Sequence, residues 1–203
     1  MQPIPDLTRR TRRYWMIDGL AELMIGSIFL LTGVAQLAPL VVPAAIAGWV
    51  NLLLPLALIL AILFSRQILH TLKARLTYPR TGYVAYRQPR LWQRVLGGLV
   101  GLGVGIALVN LTFDVQLATA WMPVIIGVTL AGGMTCLGAY LNLPRFYALA
   151  MFVASIGLLI HWLALDGFLG ASLVIIAAGA WMLVAGGITL YRYLQRTHGE
   201  EQL

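Results

Sequence analysis

Acidic residues, cysteine and histidine are all scarce in this chain. Its 203 residues include seven Asp and Glu together, one cysteine and three histidines. Cys136 has no partner, so no intrachain disulfide can form, and its apolar surroundings predict a small packing residue. His70, His161 and His198 are widely separated, and no Cys/His cluster has metal-ligand spacing. The sequence also lacks G-x-S-x-G, H-E-x-x-H and P-loop signatures, so no catalysis, cofactor or metal is expected. Charge is sparse as well: 10% of residues are charged and 60% hydrophobic, with a mean hydropathy of +0.86. That composition excludes an ordinary soluble domain and points to a polytopic membrane protein.

The apolar residues divide into six segments, each of about the 20 residues that a bilayer crossing needs. They run from Tyr14 to Ala38, Ala44 to Phe64, Val95 to Phe113, Thr119 to Leu141, Phe146 to Leu165 and Phe168 to Tyr191. Residues 1–13 form a basic tail, residues 14–193 a single membrane domain and residues 194–203 a polar tail. An Arg-rich start before an apolar run resembles a secretory signal. The run is too long for one, however, and it lacks a small-residue cleavage site.

All fourteen Lys and Arg residues fall on one side of this six-span arrangement. Four arginines precede the first span, seven basic residues occupy the connection at 65–94, Arg145 lies in a short turn, and Arg192 and Arg196 follow the last span. The positive-inside rule then predicts an all-α six-helix bundle with both termini cytoplasmic, placed in a bacterial cytoplasmic membrane. The net charge of +7 is explained by orientation and by contact with anionic lipids of the cytoplasmic leaflet. No recognition motif accompanies it, so nucleic acid is not an expected partner. The halves share no motif of the inverted-repeat kind, and the long connection divides the spans as two plus four.

Small residues mark helix contacts. Gly97, Gly101 and Gly105 recur every fourth residue, a spacing that lets another backbone approach closely. Gly19, Gly26 and Gly33 recur every seventh residue, as do Ser172, Gly179 and Gly186. A heptad stripe keeps to one side of a helix, so the first and last spans are expected to pack on each other or on another subunit. Asn51 and Asn110 are placed to hydrogen-bond between helices.

Two carboxylates lie where a span begins. Asp18 and Glu22 are four residues apart, on one face of a continuous helix. An ionisable group in a span is a candidate for proton or ion handling. Equally, either carboxylate can favour the helix start electrostatically, or pair with Arg12, Arg13, Arg94 or Arg145. Asp114 and Asp166 are read as solvated turns. Trp121 and Trp162 suit the outer aromatic belt, whereas Trp181 falls mid-span and needs a partner within the bundle.

The 65–94 connection has its own pattern. Ile68, Leu69, Leu72 and Leu76 continue the second helix into the cytoplasm. Pro79 ends it, and a turn and an extended segment follow. Arg75, Tyr78, Arg80, Tyr83, Tyr86 and Arg87 interleave cations with aromatics, a combination suited to lipid headgroups or a docked protein. The expected function is that of a non-catalytic subunit or scaffold, binding other membrane subunits or itself. The alternative is a small oligomeric transporter or channel with Asp18 and Glu22 near its ion or proton pathway.

Overall fold

The computed structural model describes residues 18–76 and 116–200. Among them the protein is all-helical. Helix α1 (Leu20–Leu37) leads through a short 3-10 turn (Ala38–Leu40) to α2 (Ala44–Leu76), followed by α3 (Gln116–Leu141), α4 (Pro144–Trp162) and α5 (Gly167–Glu200). All five are long and apolar enough to cross a membrane. The expected spans at 14–38, 44–64, 119–141, 146–165 and 168–191 thus correspond to these helices, with shifted ends. The expected span at 95–113 lies outside the described residues.

The ends have local causes. Gly19 has φ +75°, a left-handed conformation that glycine adopts without strain, and it separates Asp18 from the helix. This corrects the continuous first span through Asp18: that residue precedes α1 and sits on no helical face. Between α3 and α4, Asn142 turns the chain at φ 53° and the Leu143 amide donates to the Gly138 carbonyl at 3.1 Å. Pro144 then occupies the first turn of α4, where its missing N–H leaves no bond unmade. Asp166 does more than face solvent. Its Oδ1 accepts from the amides of Phe168 (2.9 Å) and Leu169 (3.2 Å), capping the start of α5. Helix α2 runs without a break to Leu76, so the expected cytoplasmic extension joins it directly.

Helix α5 lies centrally, packed on α1, α3 and α4, while α2 lies against α1 at the periphery. The core fills the space between α4 and α5. Phe146, Leu149 and Val153 meet Val174, Ala178 and Met182, with Ile25 and Phe29 of α1 closing one side. Gly127 and Gly157 provide the close approach of α3 to α4, since a methyl group on Gly157 would lie 2.7 Å from the Pro123 carbonyl oxygen. Large apolar side chains cover the outside, among them Leu53, Leu56, Ile59 and Leu63 of α2. In water that surface would drive aggregation, but in lipid it carries no penalty. Cys136 is exposed among the described residues.

Candidate functional site

The buried charge of the described residues gathers at one end of the bundle, around the start of α1. Helix α1 has 18 residues, about 27 Å at 1.5 Å per residue, against about 30 Å of hydrocarbon. Asp18 and the first-turn residue Glu22 therefore lie near one boundary of the span.

Asp18 is 1% exposed, and its carboxylate meets the Lys73 ammonium at 2.9 Å. Asp18 Oδ1 also accepts from the Leu20 amide at 3.3 Å, bridging the left-handed residue between them. Lys73 reaches it because α2 turns its Leu69–Lys73 face towards α1. Leu69 is 2% exposed and packs with Leu20 and Ala21, whereas Ile68 and Leu72 face outward. Lys73 was absent from the expected partners. The available signal is its spacing of four residues from Leu69, which puts both on one face of the helix that continues the second span.

Glu22 is 2% exposed and pairs with Arg145, whose Nε stands 2.7 Å from Oε1. The N–H is not aimed at that oxygen, so the contact is an ion pair rather than a well-formed hydrogen bond. Arg145 Nη1 donates to Thr189 Oγ1 at 3.0 Å, tying the start of α4 to α5 as well as α1. Arg145 was among the expected partners; Thr189 had no sequence signal. Two carboxylates and two basic side chains thus join the start of α1 and the residue before its cap to α2, α4 and α5. Burial makes each charge costly alone, and pairing offsets that cost.

The heptad residues lie along one seam. Gly19 meets Gly186, Gly26 meets Gly179, and Gly33 meets Ser172 in antiparallel register. A methyl group on Gly26 would come within 2.9 Å of Met182 Cβ and 3.0 Å of the Gly179 carbonyl oxygen. At the far end of the seam, Ser172 Oγ donates to Gln36 Oε1 at 3.2 Å. These six positions face one another within the chain.

Arg75 belongs to α2, but its side chain lies outside the described residues, as do Tyr78, Arg80, Tyr83, Tyr86, Arg87, Gly97, Gly101 and Gly105. At the opposite end, His161 Nδ1 lies 2.8 Å from the Ala120 carbonyl, and its ring lies 4.2 Å from that of Trp121. Trp181 stacks on Phe152 with ring centroids 4.6 Å apart. No group of three His, Cys, Asp or Glu side chains able to hold a metal occurs among the described residues.

Long apolar helices, an apolar exterior and paired charges at one helix end define an all-helical membrane protein. Comparison with protein families, curated proteins and solved structures finds no match for this chain.

Proposed function

We propose that this protein is a non-catalytic subunit or scaffold of a membrane complex, with six spans and both termini on the cytoplasmic face of a bacterial inner membrane. The observation carrying the scaffold reading is the pairing of both buried carboxylates. Asp18 with Lys73 and Glu22 with Arg145 form a charge-neutral clamp between helices. Such a clamp fixes geometry, whereas a proton or ion carrier needs a carboxylate that exchanges its counter-charge.

Chain direction supports the sixth span. Helix α2 ends beside the start of α1, where Lys73 meets Asp18. Helix α3 begins at the opposite end, where Gly167 packs on Thr119. Residues 76 and 116 thus stand at opposite ends of the bundle, and the apolar run at 95–113 between them has about the length that a crossing needs. An apolar cavity of about 410 Å³, lined by Phe29, Thr32, Leu58, Ile126, Thr129 and Ile175, lies between α1, α2, α3 and α5. The positive-inside pattern supports the orientation.

Partner contact is assigned to the interleaved Arg and Tyr residues from Arg75 to Arg87 rather than to the seam glycines. The transporter alternative keeps one favourable observation: Glu22 Oε2 is buried and accepts no hydrogen bond among the described residues. Gentle extraction followed by mass spectrometry of the intact particle tests the assignment. A stoichiometric foreign chain, released when Arg80, Tyr83 and Tyr86 are replaced, is the expected result. A particle of this chain alone would overturn the subunit reading and favour transport.

A further inference from the structure

Helix α3 has two packed sides and one that is not. Gly127 and Gly138 take the close approach of α4, where added methyl groups would lie 3.1 Å from the Val153 carbonyl oxygen and 3.2 Å from Phe146 Cβ. Pro123 meets Gly170 of α5. A methyl group on Gly133, by contrast, would meet nothing within 4 Å among the described residues. Gly133 shares its helix face with Ile126, Thr129 and Leu130, at spacings of three and four residues.

That face borders the apolar cavity of about 410 Å³. One turn of α1, from Ile28 to Thr32, and one turn of α3, from Ile126 to Leu130, line it together with Leu58 of α2 and Ile175 of α5. The Thr32 hydroxyl donates to the Ile28 carbonyl of its own helix at 2.6 Å, so it is already satisfied. The space suits an apolar occupant. It separates α2, which packs on α1, from α3, which packs on α4 and α5.

Chain connection selects the occupant. Only Asp114 and Val115 stand between the apolar run at 95–113 and the start of α3 at Gln116. So short a connection makes the run an antiparallel neighbour of α3, and the Ile126–Gly133 face is the side left for it. Ile126 and Leu130 stand ten and fourteen residues into α3, so a hairpin brings residues 103 and 99 level with them and Gly101 between. Gly133 then falls level with residue 96, beside Gly97. Gly97, Gly101 and Gly105 make a strip without side chains, which lets a helix backbone settle between bulky neighbours. We propose that the cavity is the seat of this chain's own 95–113 segment, lying as a helix along α3 with Gly101 at the level of Thr129. The proposal rests on the six-span reading and adds where that span packs.

The test is a disulfide between Gly101→Cys and Thr129→Cys in the Cys136→Ala full-length chain, oxidised in native membranes. Such a bond requires Cα atoms within about 7 Å. Peptide mass spectrometry should find it within one chain, and electrophoresis should show a monomer. Pairing Gly101→Cys with Met134→Cys, which faces the core between α4 and α5, should give none. A second measurement decides the matter if the double-cysteine chain does not fold. Thr129→Trp, which fills the cavity, should lower the unfolding midpoint in detergent, whereas Val128→Trp on the exposed side of α3 should not. A disulfide-linked dimer would overturn the proposal in favour of a second copy as occupant. Absence of the bond, or equal midpoints for the two tryptophan variants, would overturn it as well. Maleimide labelling of Asp114→Cys and Gln195→Cys from opposite sides keeps the six-span reading distinct: that topology without the bond removes the seat alone, and labelling from one side removes both.

Discussion

Replacing Gly179 by alanine should separate α1 from α5, while the same change eight residues later should not. A methyl group at Gly179 would stand 2.6 Å from the Leu30 amide nitrogen and 2.9 Å from the Gly26 carbonyl oxygen. Both are backbone atoms inside a helix, so neither can move aside as a flexible side chain would. Ordinary carbon contacts begin near 3.5 Å, so the helices must part by about 1 Å along this seam. Inserting a methylene into a packed interior costs about 1–3 kcal/mol. A methyl group at Gly187, by contrast, meets nothing within 4 Å. There the intrinsic preference for alanine over glycine, at most about 1 kcal/mol, should act alone. Both changes carry that preference, so the two variants should differ by the packing cost alone, about 1–3 kcal/mol, with Gly179→Ala the weaker. Reversible unfolding in mixed detergent micelles, followed by far-ultraviolet circular dichroism, measures the difference. Equal midpoints for Gly179→Ala and Gly187→Ala would refute close backbone packing of α1 on α5.

Removing one member of a buried pair should destabilise more than removing both. Arg145→Met alone should cost about 3–5 kcal/mol by stranding the Glu22 charge, and Glu22→Gln added to it should recover much of that loss. Additive losses in a double-mutant cycle would argue against the pair. Lys73→Met should behave likewise, with rescue by Asp18→Asn and none by Glu22→Gln. Ser172→Ala, which removes the donor to Gln36 Oε1, should cost about 0.6 kcal/mol, the usual value for a hydrogen bond between membrane helices; a loss above about 2 kcal/mol would mean the side chain does more. In a Cys136→Ala background, Asp114→Cys should react with an impermeant maleimide on intact cells, and Gln195→Cys only after lysis. Labelling of both from the same side would exclude the six-span topology.

Helix existence was legible in the sequence because hydropathy acts locally: each apolar run of bilayer length must satisfy its own backbone hydrogen bonds, and a helix does so. Helix ends were less legible, since they depend on single residues. Asp18 looked like part of the first span until the left-handed Gly19 separated the two. Asp166 before Gly167 and an apolar run is a recognisable helix start, yet reading it only as a polar turn concealed its capping bonds. Partner identities were the hardest to read. Arg145 was one of four basic residues near Glu22 in the threading, and nothing local favoured it. Lys73 reaches Asp18 only because α2 returns along α1 with Leu69 turned inward, a consequence of tertiary packing.

The seam and the ion pairs are linked by register. Gly19 faces Gly186 and Gly33 faces Ser172, so sliding α1 along α5 by one helical turn would put side chains where backbone now meets backbone. The same slide would carry Glu22 away from Arg145, which Thr189 of α5 helps to hold. Packing of the small residues therefore fixes where the buried charges meet, and the charges in turn penalise any other register. Glycine seams alone are weakly specific, because a heptad repeat fits itself again after seven residues. The Glu22–Arg145 pair removes that ambiguity, since a seven-residue slip of α1 on α5 would leave both charges buried and separated, at a cost of several kcal/mol per ion. On this reasoning, Glu22→Leu combined with Arg145→Leu should leave the bundle folded but less uniquely registered. Cross-linking between cysteines placed at Gln36 and Ser172, whose side chains meet at 3.2 Å, would then be less complete in the double variant than in the wild-type sequence, and equal cross-linking would show that the glycines suffice.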